Sequence, residues 1–284
     1  MPLTPTQTRS LLMQIGIIPR KNLGQNFLVD GNLVRKSLEL AELKPGDVVV
    51  EIGPGLGTLS EAMLEVGAEL YSVEIDRHLD RHLRSTVLSK HPEKFHLLEG
   101  DGVEHPRAGL PDNHPAVKNG TYKVVANVPY SVSTPWLDAL LSGPLPERLV
   151  LMLQRESAER FTAPPGTPER GAISIFTEAA LARYGSHPVS HTCFYPEPKV
   201  DSVLLCLTRK PDARALHPAT KKLIREFFTQ RRKQIGSLAR RTGHPALEHW
   251  LEKLPALGLD AKARPEDLPL AAWLELDSLI QVLQ

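Results

Sequence analysis

Asn127, Val128, Pro129 and Tyr130 follow one another at the end of an apolar run of strand length. Together they offer what transfer of a group to an exocyclic amine needs. The amino nitrogen of a purine is a poor nucleophile because its lone pair is delocalised into the ring. The Asn127 side-chain oxygen and a backbone carbonyl, from Val128 or its neighbour, could accept both N–H groups and favour a pyramidal nitrogen. Pro129 would stiffen the carbonyl's position. Tyr130 would supply a face on which an extruded base stacks, an interaction worth about 1–3 kcal/mol. No strong general base is required, since the amine becomes acidic only as the new group arrives, and alignment carries the step. The same four residues would also serve as a strand-to-loop turn capped by Asn.

A second constellation lies earlier, in Val48-Val49-Val50-Glu51-Ile52-Gly53-Pro54-Gly55-Leu56-Gly57-Thr58. A buried strand runs into three alternate glycines and then a helix, a pattern that lets backbone approach a ligand closely. A dinucleotide fingerprint would place its third glycine where Thr58 stands, which weakens a nicotinamide reading. Acidic residues then close three successive strands: Glu51, Glu74 and Asp101. A ring of carboxylates with no Lys or Arg in the glycine loop repels a diphosphate and suits a cationic ligand carrying a ribose. Glu74, 21 residues after Gly53, stands where a carboxylate grips ribose hydroxyls. S-adenosylmethionine has both the ribose and a positively charged sulfur.

These residues need a frame that brings strand ends together. Apolar runs at 47–52, 69–75, 94–99, 122–127 and 148–153 alternate with helical patterns at 58–66, 77–88 and 134–141. That rhythm predicts a parallel sheet covered on both faces. Two later runs, 181–187 and 202–208, are joined by a short Pro-containing segment and are expected to close the sheet as a hairpin. Beyond 208 the pattern is helical, at 220–238, 245–254 and 268–283. The expected domains are 1–208, with a helical extension over 1–45, and a helical 209–284.

Composition narrows the function classes. The chain has 284 residues and a net charge of +1, but the charge is unevenly placed. Residues 1–208 carry 20 Lys and Arg against 24 Asp and Glu, whereas 209–284 carry 14 against 9. Lys221, Lys222, Arg225, Arg231, Arg232, Lys233, Arg240 and Arg241 cluster in one block that suits phosphate contacts and would by itself also serve as a solvated helix face, so 209–284 is a candidate RNA-binding domain that needs support from elsewhere. Two cysteines, Cys193 and Cys206, allow neither a disulfide framework nor a Cys-rich zinc site, and no metal is called for. No apolar run is long enough to span a bilayer and no cleavage pattern follows the apolar stretch at 11–18, so a cytoplasmic protein is expected.

Six motifs occur in order: Lys21-Asn22-Leu23-Gly24-Gln25-Asn26-Phe27-Leu28, the 51–57 glycine loop, Val73-Glu74-Ile75-Asp76, Glu99-Gly100-Asp101, the 127–130 segment, and Phe194-Tyr195-Pro196-Glu197-Pro198-Lys199-Val200-Asp201-Ser202. By these the chain resembles the ribosomal RNA adenine N6-dimethyltransferases, most closely the bacterial small-subunit branch known as the KsgA or RsmA family. The resemblance implies a Rossmann-like class I methyltransferase sheet of seven strands, the last pair a hairpin, with a small all-helical C-terminal domain. It implies that Asn26 and Leu28 close over the methionine end of S-adenosylmethionine, that Gly53 contacts it, that Glu74 holds its ribose and that Asp101 lies at its adenine. Asn127 would touch both the methyl-bearing end and the target amine, with Pro129 beside it, and Phe194 would sandwich the target adenine opposite Tyr130.

Members of that branch dimethylate two adjacent adenines in a hairpin near the 3′ end of 16S rRNA, on an immature 30S particle. The implied partners are that RNA and particle, and a monomer is expected. Val128 and Ser131 replace a usual Leu and Asn. Arg170-Gly171 stands where Tyr-Gly or Phe-Gly is common, and Tyr195 where a small residue is frequent. Alternative readings are a 23S rRNA adenine methyltransferase that confers antibiotic resistance and a non-catalytic nucleic-acid-binding relative. Intact Asn127, Pro129 and Tyr130 argue against the latter.

Overall fold

Val48–Ile52 is buried at every position, and so are Leu149 to Leu153. Burial on both faces is why these runs are continuously apolar rather than alternating. They belong to a computed structural model that describes residues 3–20 and 24–282, so Lys21, Asn22 and Leu23 of the first motif lie outside the described residues. The strands are β1 (Phe27–Leu28), β2 (Val48–Ile52), β3 (Glu69–Glu74), β4 (Phe95–Glu99), β5 (Lys123–Asn127), β6 (Arg148–Gln154), β7 (Leu181–Val189), β8 (Phe194–Tyr195) and β9 (Ser202–Arg209). Seven of them form one sheet in the order β4-β3-β2-β5-β6-β9-β7. All seven coincide with the runs read from the sequence.

β2 to β6 pair in parallel, and β9 enters antiparallel to β6. After β4 the chain returns to the far side of β2, so strand order reverses between β2 and β5. In an open α/β sheet such a switch point opens the ligand crevice outside the strands' C-terminal ends. A separate ribbon pairs β1 with β8, setting Phe27 against Tyr195 and Leu28 against Phe194.

The helices are α1 (Pro5–Gln14), α2 (Gly31–Leu40), α3 (Thr58–Val66), α4 (Arg77–Leu83), α5 (Pro115–Lys118), α6 (Ser133–Leu140), α7 (Arg155–Phe161), α8 (Ala172–Ala180), α9 (Pro218–Thr229), α10 (Ile235–Thr242), α11 (Pro245–Lys253) and α12 (Leu270–Val282). The 77–88 pattern is helical throughout, but its second half, Arg84–Leu88, widens into a π-helical turn. Among the described residues no helix is long and apolar enough to cross a membrane.

Met1–Ala158 with Arg183–Arg209 form one compact unit, and Glu159–Ala182 with Lys210–Gln284 a second. The sequence pattern assigns 159–182 to the first unit; the structure groups it with the C-terminal helices, α8 packing on α9 and α12. Seven of the nine α8 residues are buried, the polar Ser174 and Thr177 among them, and a helix buried nearly all round does not declare its partner in its periodicity.

The core of the second unit is an aromatic group in which the Trp250 and Trp273 rings lie 5.5 Å apart and Phe227 lies 6.2 Å from Trp250. Trp250 Nε1 donates to the Ala272 carbonyl at 2.7 Å. Arg170 is wholly buried in the same unit. Its guanidinium donates to the carbonyls of Ala163 (2.8 Å) and Leu268 (3.3 Å) and pairs with Glu178 at 2.8 Å. The residue that departs from the usual aromatic therefore ties three segments of this unit together.

The helix expected over 220–238 is two helices. α9 stops at Thr229, residues 230–233 form a turn, and α10 begins at Ile235. No Pro or Gly marks the break. The backbone N–H groups of Ile235 and Gly236 donate instead to the carbonyls of Ala263 and Ala261, each at 2.8 Å, so contact with a distant segment redirects the chain. Arg231, Arg232 and Lys233 consequently sit on a turn rather than on a helix face.

Candidate active site

Four neighbouring strands deliver the first set of side chains: Glu51 within β2, Glu74 at the end of β3, Asp101 just beyond β4 and Asn127 at the end of β5. With the glycine loop and residues 24–28 they line a crevice of about 930 Å³ open to solvent. No Lys, Arg or His lines it among the described residues, while three carboxylates do.

Glu74 is only 4 % exposed. One of its oxygens accepts from the Asp76 N–H at 2.9 Å and the other from the Gly55 N–H at 3.1 Å. Burial pushes its carboxyl up to about 7, against the lowering effect of those two N–H donors. Glu51 is equally buried and takes hydrogen bonds from Ser60 Oγ (2.6 Å) and Ser72 Oγ (3.1 Å). Burial again raises it to about 7, with the nearby Glu74 charge adding to the rise. Two carboxyls poised this way ionise readily once a positive charge enters the crevice. That is the fit expected for a sulfonium ligand and a misfit for a diphosphate.

Asp101 accepts from the Val103 N–H at 2.8 Å, which shapes its loop, and Gly102 follows it along the wall. Gly53 has φ +66°, and a Cβ there would stand 3.3 Å from Pro129 Cγ. Its glycine character brings the loop after β2 against the loop after β5.

Asn127 bridges 101 residues of chain, its Nδ2 donating to the Asn26 carbonyl at 3.0 Å. A carbonyl can only accept, so this contact fixes the amide's nitrogen side and leaves Oδ1 as the acceptor for a second ligand. The Pro129 carbonyl already accepts from the Val132 N–H (3.1 Å), and the Tyr130 carbonyl accepts from Ser133 Oγ (3.2 Å). Val128 itself is wholly buried and is not among the residues lining the crevice. Leu28, Pro129 and Ser131 line the crevice; Tyr130, half-buried and between the last two in sequence, is not among the residues lining it.

Phe194 is placed differently from expectation. Paired with Leu28 across the β1–β8 ribbon and 1 % exposed, it belongs to the apolar core of the first unit and does not line the crevice. The motif marks Phe194 as special but does not reveal that its partner strand covers it. Tyr195, next to it, packs against the cluster of Leu12, Ile17, Phe27 and Leu79.

Several contributors escaped the residue-type reading. Ser72 faces Glu51 because the β2–β3 register sets Glu51 opposite Ser72, and register is not written in either strand alone. Gln25 donates to the Asp76 carboxylate at 3.2 Å, tying the 24–28 segment to the cap of α4. Gln25 does lie within the first motif. Ser202 hydrogen-bonds the Tyr130 hydroxyl at 2.7 Å across 72 residues, and nothing local in the sequence signals that pairing.

Comparison with known proteins places this arrangement. Residues 18–281 match the family model described as ribosomal RNA adenine dimethylase. A relative from Opitutus terrae, named ribosomal RNA small subunit methyltransferase A, is 55 % identical over 273 residues, covering 96 % of this chain and 97 % of its own. Among solved structures, a dimethyladenosine transferase from Plasmodium falciparum superposes with a TM-score of 0.70 at 23 % identity, covering 88 % of this chain and 95 % of its own; it supports the fold. The 23S rRNA methyltransferase ErmE superposes with a TM-score of 0.62 at 25 % identity, over 90 % of this chain and all of its own. The likeness in sequence runs through both compact units and along nearly the full length of the Opitutus relative, and the chain accordingly belongs to the ribosomal RNA adenine dimethylases, S-adenosylmethionine-dependent methyltransferases.

Proposed function

We propose that the protein transfers methyl groups to the N6 amines of two adjacent adenines in the 3′-terminal hairpin of 16S rRNA, acting as a monomer on an immature 30S particle in the cytoplasm. The observation that carries the reading is Asn127, whose amide nitrogen is committed to the Asn26 carbonyl and whose Oδ1 is left to accept from a target amine. S-adenosylmethionine, when bound, supplies an electrophilic methyl group on a positively charged sulfur. Glu74 would hold the ribose, Asp101 the adenine end, and Gly53, Asn26, Leu28 and Asn127 the methionine end. Asn127 Oδ1 and a backbone carbonyl, from Val128 or its neighbour, would take the two N–H groups of the target amine and turn its lone pair toward the donor side. Pro129 keeps that carbonyl in place and Tyr130 offers the stacking face. Alignment of this kind replaces a strong base.

The name of the Opitutus relative supports the small-subunit assignment over the large-subunit one. The basic block of the second unit supports RNA contact, with Arg231, Arg232 and Lys233 on a turn. Their joint replacement by Ala should weaken RNA binding and flatten its salt dependence by up to about 0.9 in slope per lost phosphate contact.

The deciding assay offers labelled S-adenosylmethionine and purified 30S particles that lack the modification, with mapping of the modified nucleotides. Two adjacent dimethyladenines near the 3′ end are expected. Transfer confined to 50S particles would overturn the reading in favour of a large-subunit enzyme. Failure to bind S-adenosylmethionine, even with RNA present, would favour a non-catalytic relative.

A further inference from the structure

We infer that Ser202 is a positioning residue for methyl transfer: through its hydrogen bond to the Tyr130 hydroxyl it holds the face on which the target base stacks. The inference rests on the reading of Tyr130 as that face.

Tyr130 lies on the connection between β5 and α6, where a side chain would ordinarily be free to move. Its ring is held at both ends instead. At the backbone end, Gly24 packs so closely that a Cβ there would stand 3.0 Å from the Tyr130 nitrogen, and the Tyr130 carbonyl accepts from Ser133 Oγ at 3.2 Å. At the phenol end, the hydroxyl meets Ser202 Oγ at 2.7 Å. Burial raises the phenol's pKa, which keeps it a neutral hydroxyl able to share that bond.

Ser202 is itself held on both sides. It is wholly buried, opens β9, and stands opposite Gln154 in the antiparallel register with β6. The preceding residue is fastened to the residue after Gln154: the Asp201 carbonyl accepts from the Arg155 N–H at 3.1 Å, and its carboxylate takes the Arg155 guanidinium at 3.2 Å. Asp201, to which the motif gives no chemistry, thus helps seat the strand end that carries Ser202. Its ion pair with Arg155 is exposed on both sides and contributes little by itself.

A ring pinned at both ends presents its face without the ordering penalty that a free side chain incurs when a base arrives. The anchor also gives the hydroxyl a purpose, since stacking alone would be served by Phe.

Ser202→Ala and Tyr130→Phe remove the same hydrogen bond from opposite sides, and the second leaves the strand untouched. Each is expected to lower kcat about 2–10-fold, the worth of one neutral hydrogen bond. The KM for S-adenosylmethionine and the melting temperature should stay near those of the parent. The double variant should be no slower than the slower single variant, because one contact is being removed twice. Independent, multiplicative losses in the double variant, or an unchanged kcat in Ser202→Ala, would overturn the inference. Tyr130→Ala separates the two levels. If it is slow while Ser202→Ala is normal, only the anchor fails; if it transfers at full rate, the stacking reading itself fails and the anchor with it.

Discussion

Glu51, Glu74 and Asn127 each ride on a neighbouring strand and Asp101 stands just beyond a fourth, so their spacing across the crevice follows the sheet itself, at about 4.7–4.9 Å per strand. Tyr130 has no such support. Its seat is assembled from Gly24, Ser133 and Ser202, which are brought together by loops and by the antiparallel strand β9. The donor side is thus built by repetition of one backbone pattern, and the base side by contacts between distant segments. A substitution on the donor side should change one hydrogen bond or one charge. A substitution on the base side should disturb alignment or folding through its neighbours. Asn127 belongs to both sides, closing β5 while donating to Asn26.

The largest effect is expected where the two sides meet. Asn127→Ala should lower kcat by about 10²–10³-fold, since its oxygen is engaged most strongly as the amine becomes pyramidal. Binding of RNA, measured by filter retention, should fall far less. Equal losses in transfer and RNA binding would show that Asn127 merely shapes the fold.

Phe194→Ala tests the base side as a packed structure. Because the ring is buried, the change should lower unfolding stability by about 3–5 kcal/mol in a denaturant titration. A stability within about 1 kcal/mol of the parent would mean the ring is available to a ligand instead.

Glu74→Gln tests the donor side as a set of separable bonds. Loss of a charged acceptor should weaken S-adenosylmethionine binding about 10–100-fold by calorimetry. The melting temperature of the free protein should fall by only a few degrees, because Gln keeps one acceptor oxygen for the Asp76 and Gly55 N–H groups while a charge that burial disfavours is removed. A large drop in melting temperature would show that the donor side is no more separable than the base side.

The smallest effect is a pH dependence. Glu51 and Glu74 are held at about 7 in the folded protein, above the ordinary carboxylate value of 4.5. The folded state therefore binds more protons than the unfolded chain between those values, and these groups should make the free protein less stable as pH rises through that window. A cationic ligand favours the ionised carboxyls, so its binding releases protons and its affinity should rise with pH up to about 7. The rise is at most about tenfold per unit for each proton released. Calorimetry in buffers of different ionisation heat reads the release directly; none at pH 6.5 would remove the carboxyls from cofactor binding.

Much of this was legible in the linear order of residues. Continuous Val and Leu runs such as 48–50 and 149–153 can be buried only in a sheet covered on both faces, and acids at successive run ends must converge once those strands lie parallel. Other features depend on partners that local pattern does not name. Helix α8 is buried nearly all round, so its pattern does not choose between the two units, and the break at 230–233 is made by hydrogen bonds to Ala261 and Ala263. Arg170, conspicuous as a departure, proves to be a buried clamp within the second unit. Phe194 is marked by its motif yet covered by a strand that pairs with it from 166 residues earlier.

Periodicity and residue type by themselves determined the strands, the glycine loop and the acid-lined edge of the crevice, because burial and backbone geometry act on neighbours in sequence. How the Asn127 amide is turned, what pins Tyr130 and what hides Phe194 were decided only by tertiary structure. Those outcomes depend on groups brought within about 3 Å after chain segments far apart in sequence have met.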